Sequence, residues 1–190
     1  MQRCIYAVGV KCAKLVVRIL RDLRKYRVDL RADPSVPEDY EVVEHRKGGI
    51  MDIHPRDVKP YLSERQRQHE RKFTGNDLLE ETHRTGKFFP NGNLLDDWIL
   101  HPNHIPWHSR KSGGFDIFLG TIYRSKIDGS LCVRYGEWVG PSYDHGMIRL
   151  DTIFGADSCA IFIERRTATD RRLHSRRSAM PIHRLHLKVA

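Results

Sequence analysis

No stretch of this sequence approaches the roughly 18 consecutive apolar residues that a membrane-crossing helix needs. The four cysteines, Cys4, Cys12, Cys132 and Cys159, form neither a CxxC pair nor a zinc-finger spacing. That excludes the common cysteine-ligated metal sites and points to reduced thiols in a non-secretory compartment. Cys132 and Cys159 lie in apolar runs, where a cysteine usually serves as a small buried hydrophobe. GxGxxG, GxSxG and GxxxxGK[ST] are all missing, so the familiar dinucleotide, nucleophile-elbow and phosphate-loop chemistries have no signature here. Serine is absent from residues 1–27, and no acid precedes Asp22.

What is present is positive charge, unevenly placed. The 190 residues carry a formal net charge of +9. Residues 1–27 hold eight Lys and Arg against one acid, and residues 165–190 hold eight against one. The intervening 28–164 carries 17 positive and 22 negative charges. A mildly acidic body between two basic arms fits contact with a polyanion, either nucleic acid or an anionic membrane surface.

The first arm has helical periodicity. At about 100° per residue, Arg3, Lys11, Lys14, Arg18, Arg21 and Lys25 fall within an arc of roughly 80°. Ile5, Val8, Cys12, Leu15, Val16, Ile19 and Leu23 occupy the opposite side. A basic amphipathic helix without acids suits an organellar import signal, a helix lying on anionic lipid, or a docked surface helix. The missing serines count against a standard transit peptide. An organellar address overlapping a structural helix is the reading taken forward.

Residues 28–62 contain Pro34, Pro37, Pro55 and Pro60 and the pair Gly48-Gly49. Proline fixes φ and supplies no donor, so an extended, loop-rich wrapping segment is expected. An α+β body is expected over 63–166. Ser63 with Gln66 forms a capping box ahead of a polar helix of the kind that lies on a partner. Asn76 is expected to cap a second helix ended by Gly86, and "GNLLDDWIL" forms a third, anchored by Leu95 and Trp98.

The β signal lies downstream. Asp128-Gly129 reads as a two-residue hairpin turn, pairing Lys126 with Leu131, Arg124 with Val133, Ile122 with Tyr135 and Phe118 with Val139. Its open end is apolar on both faces and its tip polar. "GMIRLDTIF" and "SCAIFIERR" supply two more strands, for a small antiparallel sheet of about four strands across 115–166.

"HPNHIPWHSRKSGG" places His101, His104 and His108 within eight positions. Pro102 and Pro106 break any continuous helix, closing the HExxH route to a metal. A loop of three imidazoles with an open fourth position remains the alternative, with Asp96, Asp97 and Asp116 close in sequence. Trp107 reads as a packing plug at the entry to the sheet, and the loop is expected to bind no metal. Asp144-His145 reads as a turn with an exposed histidine.

The C-terminal arm, 167–190, follows "ERR" and carries arginine doublets at Arg165-Arg166, Arg171-Arg172 and Arg176-Arg177, then Arg184. A segment this basic has too little apolar content to fold alone. Arginine forks lie readily along phosphates, as in tails that fold on RNA. The expected RNA-binding residues are therefore Arg165, Arg166, Arg171, Arg172, Arg176, Arg177, Arg184, Lys11, Lys14, Arg18, Arg21 and Lys25.

The expectation from sequence is a non-enzymatic structural subunit of a large ribonucleoprotein, a mitochondrial ribosome above all. Its partners are RNA and other protein subunits, with no cofactor and no small-molecule substrate. The alternatives are an accessory subunit of a mitochondrial inner-membrane complex, with residues 1–27 on anionic lipid, and a metal-dependent hydrolase built on the 101–108 histidines.

Overall fold

The computed structural model describes residues 25–69, 72–110 and 113–164. The expectations for the basic helix over residues 1–24 and for the arm from Arg165 onward lie outside the described residues. Tyr26 and Arg27 belong to strand β1 (Tyr26–Asp29), so the expected helix does not extend to Arg27.

The architecture is α+β, but the sheet has six strands rather than about four, and it is mixed rather than purely antiparallel. Four strands come from the second half: β5 (Phe115–Ser125), β6 (Leu131–Val139), β7 (Ser142–Arg149) and β8 (Ser158–Ile163). The proline-rich segment adds β2 (Tyr40–His45) and β4 (Val58–Tyr61), while β3 (Ile50–Ile53) pairs with β1 as a separate two-stranded ribbon. Pro60 does not prevent β4 from forming because β4 is an edge strand, where a missing donor is tolerated.

The sheet is assembled around β5. Its first residues run parallel to β8, its last residues run antiparallel to β2, and β6 covers the other edge. Between the two partners on one side, Gly120 donates to the Pro90 carbonyl and its own carbonyl accepts from Arg46. A Cβ at Gly120 would sit 2.6 Å from the Pro90 carbonyl and the Asn91 nitrogen. Only glycine lets the crossing chain approach this closely.

The hairpin register differs from the sequence expectation. Arg124 pairs with Leu131 and Tyr123 with Cys132, and a bulge follows before Phe118 pairs with Arg134. Asp128 and Gly129 do lie at the tip, but five residues, 126–130, separate the two strands. The Ser125 hydroxyl accepts from the Ile127 and Asp128 amides, and the Asp128 carboxylate accepts from Ser130. These local bonds stabilise the longer loop over a tight two-residue turn.

Among the described residues three α-helices complete the body: α1 (Glu64–Arg67), α2 (Gly75–Arg84) and α3 (Gly92–Leu100). The Ser63–Gln66 capping box is present. However, α1 is a single turn held by the body, because buried Gln66 donates to the carbonyls of Gly155 and Ser158. Thr74, not Asn76, caps α2. The pairing of Thr74 with Ile153 holds it extended, and the Asn76 amide is spent on the Leu150 carbonyl.

Both faces of the sheet are covered. One core gathers Leu94, Leu95, Trp98, Phe118, Ile161 and the β1–β3 ribbon, and the other gathers Phe73, Leu78, Ile117, Leu119, Val133 and Phe154. Trp98 Nε1 donates to the Tyr26 hydroxyl at 3.0 Å, tying α3 to β1. No helix among the described residues is long and apolar enough to cross a membrane.

Candidate polyanion-binding cavity

Two short segments meet beside the β4 edge. The first, His54–Lys59, turns through a bond from the Asp57 amide to the His54 carbonyl and enters β4 at fully buried Val58. The second runs through two 3-10 turns, Pro102–His104 and Trp107–Arg110. Ile105 anchors it in the core at 2% exposure. The Arg110 guanidinium folds back to donate to the carbonyls of Ile105 and Pro102, which sets the shape of the loop.

Between these segments lies a cavity of about 950 Å³. Lys25, Arg56, Lys59 and Arg110 line it together with His54, His104 and His108, and none of its described lining residues is an acid. Trp107 also lines it and is 74% exposed. The sequence expectation of a packing plug is therefore wrong for Trp107. Ile105 and Pro106 fill the interior instead, and the 3-10 turn carries the indole outward.

The loop is pegged to the sheet from below. Asp116 on β5 is 7% exposed and accepts from the Ser109 hydroxyl at 3.1 Å and the Tyr143 hydroxyl at 3.0 Å. Burial raises the Asp116 carboxyl to about 7, against the lowering effect of those two donors. Burial, with Asp116 beside it, also pushes the Tyr143 phenol up. Cys159 pairs with Asp116 across β5 and β8, and its thiol is raised to about 11, chiefly by burial. It is half-buried, whereas Cys132 is 2% exposed, and both are free thiols.

The three carboxylates near the histidine loop are put to different uses. Asp96 pairs with the buried Arg134 of β6 at 2.5 Å, and Asp116 holds the loop. Asp97 meets two histidines: its carboxylate oxygens lie 3.2 Å from His101 Nδ1 and 2.8 Å from His104 Nδ1. His108 lines the cavity and is not part of that group. His145 is exposed as expected, but it sits in strand β7 rather than a turn.

Of the expected RNA-binding residues, only Lys25 is described, and it lines the cavity. At the other end of the described chain, the Glu164 amide donates to the Asp57 carbonyl at 2.7 Å, next to Arg56. The described chain thus begins at a residue of the cavity lining, Lys25, and ends at Glu164, bonded beside Arg56. Arg56, Lys59 and Arg110 were not singled out from sequence. Their signal was the recurrence of proline, histidine and a cation in "HPRDVK" and "HPNHIPWHSR". No protein-family model, curated protein or solved structure matches this chain.

Proposed function

We propose that this protein is a non-enzymatic structural subunit of a ribonucleoprotein assembly, and that its setting is a mitochondrial ribosome. The body contacts RNA through the cationic cavity and the arms that leave it, and protein neighbours cover much of the remaining surface. The carrying observation is a cavity whose described lining holds four cations and no acid, with the described chain beginning at Lys25 in that lining and ending at Glu164, bonded to Asp57 next to Arg56. Such a site neutralises phosphates without reading sequence, and an exposed indole beside it suits stacking on an unpaired base. The mitochondrial setting rests on the acid-free amphipathic pattern before Asp22.

Changing Arg171, Arg172, Arg176 and Arg177 together to Gln tests the contribution of the C-terminal arm. Binding of the full chain to a mixed RNA pool is measured across a salt series. Each lost single-strand phosphate contact removes about 0.7 log units of salt slope, so the variant should be flatter by up to about four contacts' worth. Its thermal midpoint should stay close to that of the wild type. Equal affinities and slopes would take the arm out of RNA recognition.

A further inference from the structure

We propose that Asp97, His101 and His104 form a binding site for Zn2+ beside the cavity, which His104 also lines. One ligand atom from each of the three residues lies within 4.8 Å of the others. In a tetrahedral zinc site, metal–ligand bonds of about 2.0 Å put the ligand atoms roughly 3.3 Å apart. The separations of 3.2 and 2.8 Å run to the two different oxygens of Asp97, and with the ligand atoms within 4.8 Å of one another, closing on one ion takes shifts of up to about 1.5 Å. Two imidazoles and a carboxylate are a donor set for zinc-like transition ions rather than for Mg2+ or Ca2+.

The charge balance around Asp97 favours a cation there. Its side chain is only 12% exposed, and among the described residues its ion-pair partners are the two imidazoles. A carboxylate so little exposed to water is costly without a counter-charge. A bound Zn2+ supplies that charge.

The supports are rigid. Asp97 and His101 are one helical turn apart at the end of α3, and the following 3-10 turn delivers His104. The His104 ring stacks on Tyr26 with centroids 4.1 Å apart and planes 11° apart. Tyr26 is fixed in turn by Trp98. Orienting contacts of this kind are what hold metal ligands in place. The prolines that close the helical route to a metal leave this one open, because the third ligand is Asp97 rather than His108.

Three protein ligands leave one position for a water or an anion. His104 lines the cavity, and the cations there draw a phosphate oxygen toward that position. This assignment does not depend on the RNA reading.

The test uses untagged full-length protein, dialysed against a chelator and titrated with ZnCl2 by calorimetry. One Zn2+ per chain is expected, with a Kd on the order of a micromolar or tighter. His101→Ala and His104→Ala should each weaken binding at least about tenfold, and His145→Ala should not. His101 is 56% exposed on its side chain, so its removal leaves the core intact. Co2+ substitution should give tetrahedral ligand-field bands that disappear in His101→Ala. Absence of stoichiometric binding, or binding undiminished in both the His101 and His104 variants, would overturn the site.

Discussion

Changing Arg56 and Lys59 together to Gln is expected to weaken binding to single-stranded RNA about 25-fold at roughly 0.1 M salt. The estimate follows from counterion release. Each phosphate contact contributes about 0.7 log units per decade of salt below 1 M, and two contacts are removed. The salt slope should flatten by about 1.4 for the same reason. Arg56 is exposed and Lys59 partly so, and neither side chain takes part in an ion pair among the described residues. The fold should therefore be unaffected, and an unchanged thermal midpoint is the control. Arg110 is left in place because its guanidinium holds the loop through Ile105 and Pro102. A double variant that binds as tightly as the wild type, with the same slope, would remove the cavity from the binding surface.

Asp116→Asn should stabilise the body by about 2–4 kcal/mol at pH 8 and change little at pH 4. The native carboxyl titrates at about 7, well above its value of 3.8 in an exposed chain. Between those two values the folded protein holds a proton that the unfolded chain has released. Stability therefore falls as pH rises through the window, and the loss is complete above about 7. A gap of about three pH units corresponds to about 4 kcal/mol at most, which sets the upper end of the range. Asparagine keeps the shape and remains neutral throughout. Its amide oxygen still accepts from one hydroxyl while its NH2 donates to the other. Urea unfolding of both proteins at pH 4 and pH 8 measures the difference. A variant no more stable than wild type at pH 8 would mean that the buried carboxyl carries no such penalty. Because Ser109 links Asp116 to the cavity loop, the amides of the wild-type loop should also show lower protection factors, corrected for the intrinsic exchange rate, at pH 8 than at pH 5.

Much of the scaffold could be read from periodicity and turn chemistry. The Ser63–Gln66 box, the helix anchored by Leu95 and Trp98, and the four downstream strands all follow from local pattern. The strands contributed by the proline-rich segment did not. Four prolines argue against strands, and only the long-range pairing of β4 with β8 and β2 with β5 outweighs that preference. The hairpin register slipped because Ser125 and Asp128 bond locally and lengthen the loop, an effect that the Asp-Gly signal alone does not reveal.

The candidate site was half legible. The histidine run was read as a loop that binds no metal, with three imidazoles as the alternative, and spacing alone did not show that Asp97 rather than His108 groups with His101 and His104. Trp107 was misjudged because hydrophobicity favours burial, whereas a 3-10 turn anchored by Ile105 and Ser109 leaves the indole outside. The cavity itself is a tertiary product. Its cations come from segments roughly fifty residues apart in sequence, and no local pattern joins them.

The most direct test of the central claim is ultraviolet crosslinking of RNA to the tagged full-length chain in living cells, followed by mass spectrometry of the crosslinked peptides. The account predicts nucleotide adducts on peptides spanning 102–110, with Trp107 among the modified residues, and on peptides from the arginine doublets at 165–177. A chain recovered within a protein assembly free of RNA, or adducts confined to the β5–β6 tip, would contradict it.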